Sequence, residues 1–250
     1  MVKILMETET GKCAVSDLLE VMKTLRSPGG CPWDREQTHL SIRNDTLEEA
    51  YEVADAIDNG DATALCEELG DMLLQVVFHS RIAEENGRFT FDDVVDGITK
   101  KLILRHPHVF GEAKAENSGQ VLDLWDAVKR QEKHQESYTD TLKSVPTAFP
   151  ALMRGAKVQK RAKKAGVDLC DSLSDGRLDA AIAALKEAVR SEDKQAVSRA
   201  YGETLFCMAG LQNSIKVDAE EALATAVNDF IARFEAAEAL NPQAPHKAFK

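Results

Sequence analysis

One acidic frame recurs along this chain with its charges removed, and that repetition limits the fold more than any other feature. Glu48, Glu49 and Glu52 are followed by Glu68 and Asp71, and 132 residues further on the same positions hold Ala180, Ala181, Ala184, Ala200 and Glu203. Gly70 is matched by Gly202 and Leu74 by Phe206. With a four-residue deletion the register continues: Phe91-Asp92-Asp93 meets Ala219-Glu220-Glu221, Leu102 meets Phe230 and Arg105 meets Arg233. Lys101, however, meets Asp229, which inverts the charge of any phosphate site there. Internal duplication accounts for this pattern, and a duplicated frame folds as two related units.

The vocabulary of both copies is helical. Ala, Leu, Glu and Lys dominate, aromatic residues make up only 6%, and no stretch alternates like a strand. The expected fold is all-α, as tandem helical bundles. An N-terminal unit is expected over 15–115, a polar linker with one amphipathic stretch around Val121, Leu124, Trp125 and Val128 over 116–150, and a C-terminal unit over 151–240. Residues 1–14 read as irregular, and those beyond Asn241-Pro242 as a loose tail.

Within the first unit, Ser16 or Asp17 caps a helix striped by Leu18, Leu19, Met22 and Leu25. Ser27 to Asp34 reads as a loop, given two prolines and two glycines. Thr46, with Glu49 three residues on, suggests a capping box for a helix running to about Ile57. Asp61 or Thr63 opens the next, with Leu65, Leu69, Met72, Leu73 and Val76 on one face, and Asn86-Gly87 ends it. A further helix runs from Phe91 to about Arg105, where His106-Pro107-His108 breaks it.

The spacing of the acids points to chemistry. At about 100° per residue, Glu48, Glu52 and Asp55 fall within about 60° of one another, with Glu49 beside them and Val53 and Ile57 turned toward the core. Glu68 and Asp71 lie one turn apart on the adjoining helix, so a hairpin brings the two acid faces together. Like charges so placed repel unless a divalent cation sits among them, and all-oxygen ligation suits Mg²⁺ or Mn²⁺ rather than zinc. Such a cation shares its ligands with phosphates, which suggests hydrolysis or transfer at phosphorus. A solvated acidic face is the plainer reading of glutamate pairs, but it gives no reason for their concerted loss in the second copy. Trp33, in its loop, either stacks a nucleobase or plugs the bundle end.

The net charge of −11 excludes a nucleic-acid-binding surface of the usual basic kind, while remaining compatible with a small phosphorylated ligand held through a metal ion. Five scattered cysteines form no C-x-x-C pair and suit a reducing compartment. No apolar run reaches the roughly 20 residues of a membrane span, and no signal-peptide core is legible, so the expected location is cytoplasmic. A P-loop is absent, and no serine or cysteine has a nucleophile's context.

Gly30-Cys31-Pro32-Trp33-Asp34-x-x-Gln37-Thr38, the two acid clusters, Arg105-His106-Pro107-His108-Val109-Phe110 and Pro150-Ala151-Leu152-Met153-Arg154 together resemble the MazG family of nucleoside triphosphate pyrophosphohydrolases. The resemblance covers nearly the whole chain. It implies two tandem MazG domains, a homodimer and Mg²⁺-dependent cleavage of nucleoside triphosphates to monophosphate and pyrophosphate. By that likeness Glu48, Glu49, Glu52, Glu68 and Asp71 are the catalytic acids, with Glu49, Glu52, Glu68 and Asp71 on the metal. Lys101 and Arg105 are the basic partners of the triphosphate, and Asp55 is either a further ligand or orients water. Some two-domain members keep the full acid set in the C-terminal domain. Here four of its five acids and the lysine are gone, so catalysis is expected in the N-terminal unit. The competing expectations are a non-catalytic nucleotide- or protein-binding regulatory module, and an enzyme narrowed to dUTP or modified nucleotides.

Overall fold

The computed structural model describes residues 12–121, 124–125, 128, 137–167, 173 and 176–240. Among them every regular element is a helix: α1 (Val15–Leu25), α2 (Pro32–Glu36), α3 (Arg43–Asp58), α4 (Ala62–Glu85), α5 (Phe91–Arg105), α6 (Pro107–Phe110), α7 (Tyr138–Lys143), α8 (Ala151–Lys164), α9 (Arg177–Arg190), α10 (Lys194–Ile215) and α11 (Ala219–Leu240). The all-α expectation is met. The chain separates into two compact units, 1–129 and 130–250. The expected irregular start up to residue 11, the tail beyond 240 and much of the linker lie outside the described residues, although Val121, Leu124, Trp125 and Val128 are helical and half-buried.

The first unit is organised by α4, which packs against α3, α1 and α5. Asp61 caps it by accepting from the Thr63 and Ala64 amides at 2.9 and 3.1 Å, a cap worth about 1 kcal/mol. Gly60, at φ +67°, takes the left-handed conformation that turns the chain from α3 into α4 in three residues. Thr90 and Asp93 close a capping box at the start of α5. The core is Met22, Ile42, Val77, Phe78 and Ile82, with Leu18, Leu19, Leu74 and Phe91 packed around it.

Five local expectations are corrected. Helix α1 begins at Val15, before Ser16, and Asp17 reaches back from its first turn to the Ala14 amide at 2.7 Å. Thr46 does not cap α3: the helix starts at Arg43, and the Thr46 hydroxyl bonds back to the Ile42 carbonyl at 3.2 Å. Pro32 to Glu36 is helical, because proline at the first helical position has no amide to leave unpaired. The expected apolar stripe of α4 is not its core face, since Leu69 is 52% exposed and Leu73 and Val76 are also exposed, while Leu74, Val77, Phe78 and Ile82 pack inward. A helix apolar on more than one side has no unique inward face in its sequence. On α3, likewise, Ala56 is buried while Ile57 is exposed.

Three helices of the second unit fall close to the positions that the repeat spacing gives. Shifting α3 and α4 by 132 residues lands on α9 and α10, and shifting the start of α5 by 128 lands on Ala219, where α11 begins. Helix α10 packs on α8, α9 and α11. Ala181 and Cys207 are buried against Leu178, and Val145, Ala156, Ala162, Ala209 and Leu211 are buried in the same unit.

Candidate metal centre

The hairpin of α3 and α4 turns the two acid clusters toward each other. Carboxylate oxygens of Glu49, Glu68 and Asp71 all lie within 4.8 Å of one another, and all three residues are half-buried. Opposite ligands of a Mg²⁺ ion stand about 4.2 Å apart, a span close to the one seen here. The donors are all oxygen, which fits that class of ion.

The electrostatics say that the carboxylates are crowded. Partial burial, then the charges of Asp71 and Glu52, hold Glu49 above the usual glutamate range, and a hydrogen bond from the Gln75 amide at 3.5 Å offsets this only in part. Partial burial and the charges of Glu52, Asp71 and Glu67 raise Glu68 in the same direction. No cationic side chain is among the groups that shift either residue. Glu52 is exposed and stands close enough to press on both Glu49 and Glu68, though outside the converging trio. Glu48 is exposed, also outside the trio. Asp55 is exposed and accepts from the Asn59 side chain at 2.9 Å near the end of α3.

The expected substrate contacts are more scattered. Lys101 is exposed on α5, beside Lys100, which pairs with Asp96 at 2.7 Å. Arg105 is buried, with its guanidinium 5.4 Å from the centre of the Trp125 ring. Trp33 is 58% exposed, so it plugs nothing within this unit. Its helix is tethered through Arg26, which donates to the Asp34 carbonyl and pairs with Glu85 at 2.7 Å. Glu85 lies 14 residues along α4 from Asp71, or about 21 Å of helix.

A polar chain behind Glu49 escaped sequence reasoning. The Thr46 hydroxyl lies 3.5 Å from the Gln75 side-chain oxygen and 3.1 Å from His79 Nε2. His79 Nδ1 is 2.9 Å from His39 Nδ1, and the two rings stack with centroids 5.2 Å apart. Burial, and then His39, lower the His79 pKa. The signal was the spacing of Asp71, Gln75 and His79, which at i, i+4 and i+8 share one face of α4.

A helical hairpin that gathers three carboxylates at half-buried depth, with no cationic side chain among the described groups that shift Glu49 or Glu68, defines an all-helical protein with an acidic cluster that could hold a metal ion. Comparison with known proteins narrows the class. Residues 37–110, which span both acid clusters, match the MazG nucleotide pyrophosphohydrolase domain. The chain is 40% identical over 231 residues to the nucleoside triphosphate pyrophosphohydrolase of Escherichia coli (strain K12), covering 90% of this chain and 87% of that one. It is 38% identical to the nucleoside triphosphate pyrophosphohydrolase/pyrophosphatase MazG of Thermotoga maritima, over 90% and 85% of the two chains. A nucleoside triphosphate pyrophosphohydrolase of Mycobacterium tuberculosis is 38% identical over 89% of this chain and 57% of its own. The chain belongs to the MazG nucleotide pyrophosphohydrolase family.

Proposed function

We propose that this protein hydrolyses nucleoside triphosphates to monophosphate and pyrophosphate, and that the site lies in the first unit. The observation that carries the reading is the convergence of Glu49, Glu68 and Asp71 within 4.8 Å, set against alanines at the matching positions of the first two and four of the five in all. We read 15–115 as the catalytic unit, 116–150 as linker and 151–240 as a degenerate copy.

In this reading Glu49, Glu52, Glu68 and Asp71 hold Mg²⁺, with Mn²⁺ as a substitute. When bound, the ion would polarise phosphate oxygens and lower the pKa of water. The protein's own part is to keep the donors in place. Gln75, itself buried, donates to Glu49 and limits its rotation. Glu48 stands at the exposed rim. Lys101, exposed, is suited to neutralise charge developing on the phosphates, and Arg105, buried against Trp125, to hold the end of α5. Trp33, anchored toward the far end of α4, is not assigned to the base. The net charge of −11 speaks against nucleic acid as a partner, and the scattered cysteines fit a cytoplasmic enzyme.

Exposed Leu69, Leu73 and Val76 on α4, with Val94, Ile98 and Leu102 on α5, leave two apolar stripes for a second copy. A homodimer is expected, with a light-scattering mass twice 27.5 kDa. Incubation of each nucleoside triphosphate with Mg²⁺ should yield monophosphate and pyrophosphate in equal amounts. Absence of turnover with every one of them would sink the reading.

The crowding of the carboxylates also sets a pH dependence. Raised glutamate pKa values favour the metal-free fold fully below the unfolded value of about 4.3, and that advantage is lost as pH rises through the raised values of Glu49 and Glu68. At neutral pH the metal-free fold therefore carries the repulsion that a cation relieves. Mg²⁺ at a hundredfold excess over its Kd should stabilise the protein by about 2.7 kcal/mol at pH 7.5. The rise in Tm should shrink steadily toward pH 5, whereas an unchanging shift across this range would contradict ligation by these acids.

A further inference from the structure

The second unit keeps a cavity where its acids were lost. About 340 Å³ opens between α8, α9 and α10, lined by Gln159, Arg177, Ala180, Ala181, Glu203 and Phe206 among others. Ala180 and Ala181 stand where the first unit has Glu48 and Glu49, and Glu203 where it has Asp71. Alanine at 180 and 181 puts small apolar side chains where the first unit carries glutamates, and leaves that side of the cavity without carboxylate donors.

One group in that cavity points to a ligand. Gln159 is only 2% exposed; its amide nitrogen donates to the Phe206 carbonyl, while its buried side-chain oxygen has no partner among the described residues. A buried acceptor left in this state is unfavourable until something donates to it. Beside it Phe206 offers an aromatic wall, backed closely by α8: a Cβ added to Gly155 would stand 3.5 Å from the ring. Arg177, in the first turn of α9, contributes a half-buried guanidinium, and Glu203 an exposed carboxylate.

This set has a definite charge balance. Among the described residues the lining offers one guanidinium, which keeps an interaction of its own, and one carboxylate; that set is too small to neutralise a triphosphate, and alanines stand where metal ligands would assist. The several N–H donors of a guanidinium such as that of Arg177 suit a single phosphate. We propose that this cavity is a metal-independent binding site for a nucleoside monophosphate. A base N–H donates to the Gln159 oxygen, the base lies against Phe206, the phosphate meets Arg177, and a ribose hydroxyl donates to Glu203. The volume is in the range of small-ligand pockets.

The test uses the full chain in EDTA, titrated calorimetrically with AMP, GMP, CMP and UMP, with the four nucleosides and with inorganic phosphate. At least one monophosphate should bind saturably, at one site per chain, more tightly than phosphate alone. Arg177→Ala should weaken the monophosphate about tenfold and leave the matching nucleoside within about twofold, as expected for loss of one charge-assisted contact. Ala181→Leu, which fills the cavity, should remove both while leaving far-UV helicity and Tm near those of wild type. Gln159→Leu provides a second variant, should Ala181→Leu fail to fold, and should weaken nucleoside and monophosphate alike. The proposal is overturned if no monophosphate binds in EDTA, if phosphate alone binds as tightly, or if binding survives the Arg177 and cavity substitutions. Loss of the binding in Glu49→Ala, Glu68→Ala would also overturn it, by assigning the site to the first unit. Because the assay contains no metal and no triphosphate, its outcome does not depend on whether the carboxylate centre hydrolyses anything.

Discussion

Asp71→Ala is expected to cut triphosphate turnover by about 10²–10³-fold, with Glu68→Ala close behind, since a misplaced Lewis acid forfeits several kcal/mol of charge stabilisation. These two residues sit one turn apart on α4 and supply two of the three converging donors, so removing either leaves a site too sparse to fix the ion. The loss should appear with a marked fall in Mg²⁺ affinity, measured directly by calorimetry. Stability should move the other way. The carboxylates repel in the metal-free protein, so neither substitution should lower Tm without Mg²⁺, and both should abolish the rise that Mg²⁺ produces. A variant with full turnover, or one that loses activity only because it unfolds, would contradict the assignment.

Arg26→Ala is expected to destabilise the first unit by about 3 kcal/mol, at the low end for a buried ion pair broken on one side because Glu85 keeps some access to water. Arg26 has only 6% of its side chain exposed and holds three things at once. It pairs with Glu85 at 2.7 Å, lies over the Phe78 ring at 5.4 Å and donates to the Asp34 and Gln37 carbonyls of the Trp33 segment. Chemical denaturation followed by circular dichroism would measure the effect. Its pH dependence has a definite sign. Burial pushes the Glu85 carboxyl up, but the hydrogen bonds and charges of Arg26 and Arg81 outweigh it and hold the group below its usual range. That stabilisation is present above the unfolded glutamate value of about 4.3 and is lost as pH falls through the lowered one. The difference between wild type and Arg26→Ala should therefore narrow in acid. A constant difference down to pH 3 would argue that Arg26 acts by packing alone.

The helices were legible where local signals agreed. Asp61, Gly60 and Asn86-Gly87 mark the limits of α4, because each satisfies or interrupts backbone hydrogen bonds within a few residues of itself. The pairing of Glu68 with Asp71 was legible for the same reason, since one turn of helix brings them together whatever the surroundings. Thr46 misled because its hydroxyl could either cap a helix or bond back within one, and the deciding partners, His79 and Gln75, lie about 30 residues away. The inward face of α4 misled because Leu69, Leu73 and Val76 are as apolar as the residues that pack.

By itself the sequence determined an all-helical chain with a repeated frame, and which copy retains its carboxylates, since charge and helical spacing are properties of the residues alone. Only the tertiary structure decided which carboxylates meet. Glu49 joins Glu68 and Asp71 while Asp55 turns to Asn59, an outcome set by the crossing of two helices, which no spacing within one helix encodes. It also decided that Ala180 and Ala181 border a cavity with a glutamine whose side-chain oxygen has no partner among the described residues, because empty volume exists only between elements already packed.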